Sequence, residues 1–91
     1  MKVFYFAAAR AASGLAQEEL VLAEVTGSTT APLAKVVDYL AGSHTGRTPS
    51  GLTLAQVLKQ CSFLINGSAA SLESQLSEAD RLDVLPPFAG G

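Results

Sequence analysis

Apolar positions recur with a period of two at both ends of the chain and with a helical period between them. Residues 1–7 carry Val3 and Tyr5 on one face and Phe4 and Phe6 on the other, the pattern of a central strand covered on both sides. Residues 8–14 are mostly small and predict a loop. In residues 18–24 Leu20 and Leu22 alternate with Glu19, Val21 and Ala23, so a second strand closes an opening hairpin.

A helix follows. Leu33, Val36, Val37 and Leu40 fall at i, i+3, i+4 and i+7, with Thr29 or Thr30 as cap, Pro32 in the first turn and Gly42 as the stop. Residues 43–51 contain no apolar side chain and predict an exposed, mobile loop. Leu54, Val57, Leu58 and Cys61 repeat the helical spacing, and Phe63-Leu64-Ile65 before Asn66-Gly67 reads as a strand entering a tight turn. Residues 72–76 fit one helical turn. In residues 81–85 Leu82 and Val84 share a face of a last strand, which Pro86-Pro87 ends because proline cannot donate to a ladder.

A hairpin, a main helix, short strands and a terminal strand predict an α+β fold, a ubiquitin-like β-grasp in which a mixed sheet wraps one main helix. A ferredoxin-like sandwich competes on pattern alone. At 91 residues and 48% apolar content the chain suits one domain, 1–91, with enough material for a single modest core. A net charge of −2 without a Lys/Arg cluster argues against nucleic acid, and no apolar run approaches the ~20 residues of a membrane span. The lone Cys61 cannot form an internal disulfide, and the first residues do not read as a signal peptide, so a cytoplasmic setting is expected.

Catalytic constellations are missing from this pattern, which has one His, one Cys and no Gly-rich phosphate loop. His44, in the polar loop, reads as a solvated side chain. Cys61, on the apolar stripe of its helix, reads as a buried, unreactive thiol. The tail is different: Gly90 and Gly91 lack side chains, so the thread they form can enter a narrow channel and present a terminal carboxylate to another protein. Pro86-Pro87 directly after the predicted strand makes this flexible part, residues 86–91, short and anchored. A frayed, inert terminus is the plainer alternative.

The ending Asp83-Val84-Leu85-Pro86-Pro87-Phe88-Ala89-Gly90-Gly91, the opening from Val3 to Arg10 with Gly14 after it, and Asn66-Gly67 between them resemble the small subunits of molybdopterin synthase. These belong to the wider group of ubiquitin-like sulfur carriers that includes the thiamine-pathway carrier. Pro-Pro-x-x-Gly-Gly is the specific element, since Gly-Gly alone is shared by all ubiquitin-like proteins. Two departures fall on expected loops: Glu78-Ala79-Asp80 replaces a Gly-Asp turn, and residues 43–51 enlarge the middle.

The resemblance implies a mechanism. A ubiquitin-activating-type adenylyltransferase, using ATP and Mg, adenylates the Gly91 carboxylate, and sulfur supplied as a persulfide turns it into a thiocarboxylate. The chain itself binds no cofactor and carries sulfur covalently. In the family the large synthase subunit, in a heterotetramer with the small one, takes in the tail and supplies the catalytic side chains. The sulfur then attacks the pyranopterin precursor, two carriers being spent per product. By the same resemblance Phe6 and Leu85 are candidates for an apolar docking face with Arg10 at its edge, and Pro86, Pro87, Phe88 and Ala89 for contacts along the tail. Delivery to a thiamine or cysteine pathway, or conjugation to proteins as a modifier, are the alternatives.

Overall fold

The computed structural model describes residues 1–87. Its main sheet has five strands in the order β2 (Gln17–Glu19), β1 (Lys2–Tyr5), β7 (Arg81–Leu85), β4 (Ser62–Ile65) and β5 (Ser68–Ala70). β1 runs antiparallel to β2 and parallel to β7, whose other neighbour, β4, is antiparallel. Helix α3 (Leu33–Ser43) buries Leu33, Val36 and Leu40 in the core together with Val3, Tyr5, Leu82 and Val84 from the sheet. A mixed sheet wrapped on one main helix, with the last strand in its middle, is the β-grasp arrangement.

Several local expectations are corrected. Residues 8–14 are not a loop: Ala7–Ser13 form α1, because an alanine-rich run has the highest helix propensity and its Ala9 and Ala12 are fully buried where the helix packs against α4 (Leu54–Leu58), β1 and β7. Gly14, in the left-handed conformation, stops it and donates to the Arg10 carbonyl at 2.9 Å. β1 and β2 therefore pair as expected but are joined by a helix. The extended segment ends at Glu19, and Leu22–Thr26 form α2. Its first amides are held by a distant side chain, the Glu78 carboxylate, which accepts from Leu22 N at 2.6 Å and Ala23 N at 3.2 Å.

β1 is covered on one face only. Val3 and Tyr5 are buried, whereas Phe4 is half-buried beneath the Arg81 guanidinium, 3.8 Å above its ring, and Phe6 is 37% exposed. The main helix begins one residue after Pro32, which is its N-cap and the last residue of β3 (Thr30–Pro32), and no threonine caps it. Its first amides instead reach a neighbouring segment, Leu33 N to Ser74 O and Ala34 N to Leu72 O. With those carbonyls recruited, residues 72–76 form a turn and β6 (Gln75–Ser77), paired antiparallel with β3, rather than a helical turn. Gly42 lies inside α3 instead of stopping it.

Other expectations hold. α4 (Leu54–Leu58) follows the second helical repeat as far as Leu58 and starts in a reciprocal cap between Thr53 and Gln56, but it closes at Lys59, so Cys61 lies beyond the helix and is half-buried rather than buried on its stripe. Asn66 and Gly67, at φ +51 and +84, make the tight turn between β4 and β5.

Residues 43–51 are exposed over most of their length but are tied down. Thr48 is buried and exchanges bonds with Leu52, and Gly46 sits so close to α1 that an added Cβ would lie 2.4 Å from the Ala12 carbonyl oxygen. His44 is not solvated. Its Nε2 lies 2.7 Å from Glu18 Oε2, which also accepts the Tyr5 hydroxyl at 2.6 Å. Burial and the Glu18 carboxylate push the Tyr5 phenol far above its usual range.

Candidate functional site

The terminal strand leads out of the middle of the sheet. Arg81, Asp83 and Leu85 alternate with the fully buried Leu82 and Val84, so the sheet's outer face carries the first three. Arg81 Nε donates to Asp83 Oδ1 at 2.8 Å while its guanidinium covers Phe4, a cluster that sequence reading missed because the partners sit on two strands. β7 ends at Leu85, half-buried opposite Ser62, and the chain continues through half-buried Pro86 to exposed Pro87. The Phe88, Ala89, Gly90 and Gly91 expectations lie outside the described residues.

Phe6, Arg10 and Leu85 are brought together by the backbone. Tyr5 is in register with Val84, and the Phe6 amide donates to the Val84 carbonyl at 3.3 Å, which puts Phe6 beside the last residues of β7. The Phe6 carbonyl in turn accepts from Ala9 N and Arg10 N, so exposed Arg10 stands one helical turn above it. The corner between strand and helix is strained, since Ala7 has φ +46, a region that L-residues with a Cβ rarely adopt. Phe6 thus lies beside the end of β7, with Arg10 one helical turn further along α1.

Among the described residues the one thiol, Cys61, is not activated. Burial pushes the Cys61 thiol up to about 11, and its Sγ lies 3.2 Å from the Val57 carbonyl oxygen, so it is a protonated, half-buried thiol at neutral pH. The arrangement can hold a tail and offer it to a partner.

This fold and this exit define a ubiquitin-like β-grasp protein. The sequence matches the ThiS family over residues 3–91, and the chain belongs to that family of ubiquitin-like sulfur carriers. Among curated proteins, none matches the sequence. Solved structures of similar fold include two crystal structures. A crystal structure of SAMP1 from Haloferax volcanii superposes with a TM-score of 0.66 at 23% identity, covering 100% of this chain and 98% of that one. A crystal structure of H. volcanii small archaeal modifier protein 1 gives 0.65 at 22% identity, covering 97% of each.

Two turn residues carry more than the sequence suggested. The Glu78 carboxylate is held below its ordinary value of 4.5 by the α2 amides it accepts from, Leu22 first and then Ala23. Asp80 is likewise lowered, by Asn66 Nδ2 at 2.8 Å and by the Ser77 amide at 2.8 Å. The departure from a Gly-Asp turn therefore supplies a cap to α2. Glu78 and Leu22 stand 56 residues apart, and no local pattern joins them.

Proposed function

We propose that this chain is the sulfur-carrying small subunit of a molybdopterin synthase. The observation that carries the reading is that Pro86-Pro87, which open the ending Pro-Pro-Phe-Ala-Gly-Gly in the sequence, follow directly on the middle strand of the sheet, whose end lies beside exposed Phe6. A free carboxylate is a poor electrophile, and adenylation of Gly91 by an ATP- and Mg-dependent, ubiquitin-activating-type enzyme gives it a leaving group. The outer sulfur of a persulfide on the activating system displaces AMP to form an acyl disulfide, and a second thiol of that system attacks its other sulfur, is oxidised to a disulfide with it, and releases the Gly91 thiocarboxylate. The large synthase subunit receives the tail, docks on Phe6 and Leu85, and provides the groups that handle the pyranopterin precursor. Intact-mass measurement after incubation with a cognate activating enzyme, ATP and a sulfur donor tests it. One oxygen exchanged for sulfur at Gly91 is expected, and a chain extended beyond Gly91 should not react unless trimmed.

A second reading is conjugation to proteins, favoured by the name of the solved neighbours, which are small archaeal modifiers. It predicts Gly91 in isopeptide linkage to lysines of other proteins. A carrier dedicated to a synthase leaves none and binds the large subunit instead.

A further inference from the structure

Two edges bound the main sheet, and they differ in what they offer another strand. β2 is Gln17-Glu18-Glu19, whose two carboxylates discourage pairing, whereas β5 is Ser68-Ala69-Ala70, with no charge, no proline and no side chain larger than serine. The hairpin fixes which backbone groups of β5 are free. Its two-residue turn closes on Ile65 and Ser68 as a hydrogen-bonded pair, so Phe63 and Ala70 form the next one and Leu64 and Ala69 lie between. On the other side of β4 the Asn66 amide donates to the Arg81 carbonyl at 2.9 Å, and the same alternation two residues on turns the backbone of Leu64 toward Asp83 of β7 and away from Ala69. Exposed Ala69 therefore presents both its N–H and its C=O outward, and among the described residues no backbone group outside the hairpin bonds to them.

An apolar groove runs beside this edge. A cavity of about 670 Å³ opens between the helices and the hairpin, lined by Val37 and Ala41 of α3, Leu58 of α4 and Ala70 of β5, together with Leu72, which is 48% exposed. Ala70 shares the inner face of the sheet with its buried register partner Phe63, so a side chain placed opposite Ala70 on an added strand points into the groove. We propose that the β5 edge and this groove together receive an extended segment of a partner protein, which pairs with Ala69 as a sixth strand of the sheet and sinks a bulky apolar side chain beside Ala70. Asp38 and Lys59, the charged residues lining the groove, cancel, so the segment that suits it is uncharged, with apolar and small polar residues alternating. A second copy of the chain suits it less. Pairing β5 with another β5 would put only serine and alanine against the cavity, and an edge of three residues, about 10 Å long, is too short to bury the roughly 1,200 Å² of a stable dimer. β5 stands three strand spacings from β1, about 14 Å, so a segment paired there leaves Phe6 and the end of β7 uncovered. Docking at this edge and at the origin of the tail are therefore compatible.

A phage library of short random peptides, selected on the whole chain, tests the proposal. Enriched peptides should alternate apolar with uncharged polar residues. A synthetic copy of the leading peptide, titrated into labelled protein, should shift the NMR signals of the Ala69 and Ala70 amides and of the Val37 and Ala41 methyls, and spare the amides of Gln17, Glu18 and Glu19. Ala69→Pro removes the outward donor at an edge position that proline tolerates, and Ala41→Leu fills the groove. Each should weaken binding about tenfold or more, the worth of roughly one hydrogen bond or one buried side chain. Thermal unfolding of the free variants shows that they are folded, and if one of them is not, the other decides. A library that enriches nothing, shifts confined to the β2 edge, or binding undiminished in a folded variant would overturn the proposal. Shifts of the same β5 signals on concentrating the protein without peptide would overturn it in favour of a second copy.

Discussion

Ala7 takes the turn from strand to helix with a Cβ in the left-handed region, which costs about 1–2 kcal/mol. Glycine within a helix ordinarily destabilises by about 0.5–1 kcal/mol, but here it removes the strain, so Ala7→Gly should stabilise. A gain of about 1 kcal/mol would raise the melting temperature by roughly 4–8 °C, readable by thermal unfolding. A change in activity without a change in stability is expected of Gly90→Val. It should melt like the parent, since the tail lies beyond the core-forming strands, and should lose adenylation or transfer, because a branched side chain widens the thread and restricts its φ and ψ. A paired melting curve and single-turnover adenylation assay would show both.

The elements that read well from the sequence are those whose signals are local. α3 and α4 follow their own apolar spacing, and the β4–β5 turn is written in Asn66-Gly67. α1 and α2 did not read, for different reasons. α1 is built of small residues whose periodicity carries little contrast, and the amides of α2 are satisfied by Glu78 from the far end of the chain. The same distinction applies to the site. The tail motif is contiguous and legible, while the meeting of Phe6 with the end of β7 is a product of register, and the anchoring of His44 by Glu18 and Tyr5 follows from pairing of β1 with β2. At this scale the proposed docking face is testable. Phe6→Arg or Leu85→Arg should fold, yet leave a desolvated cation on binding, at about several kcal/mol. With about tenfold per 1.4 kcal/mol, calorimetric affinity for the large subunit should drop by orders of magnitude. The loop of residues 43–51 is testable too, since the Cβ of Gly46→Ala would collide with the backbone of α1, and thermal unfolding should show a loss of about 1–3 kcal/mol.

Across the whole molecule, Glu78 links the turn before β7 to the start of α2 and lies 3.8 Å from the Met1 amine. Its folded-state pKa is lowered, so the stability it adds is fully present above its unfolded value of 4.5 and fades as pH falls through the lower folded value. Asp80 acts in the same direction below 3.8. Melting temperature measured from neutral to strongly acidic pH should therefore fall steadily below about pH 4.5, and Glu78→Gln should flatten the upper part of that fall. The placement of β7 has a mechanical consequence. An enzyme that draws the tail into a channel pulls on β7 along its length, and hydrogen bonds to β1 on one side and β4 on the other resist together, in shear. A strand at the edge would peel away one bond at a time under the same tension. Between two neighbours, it transmits traction as a rope made fast amidships, so the tail can be hauled taut while the body that docks beside it keeps its shape.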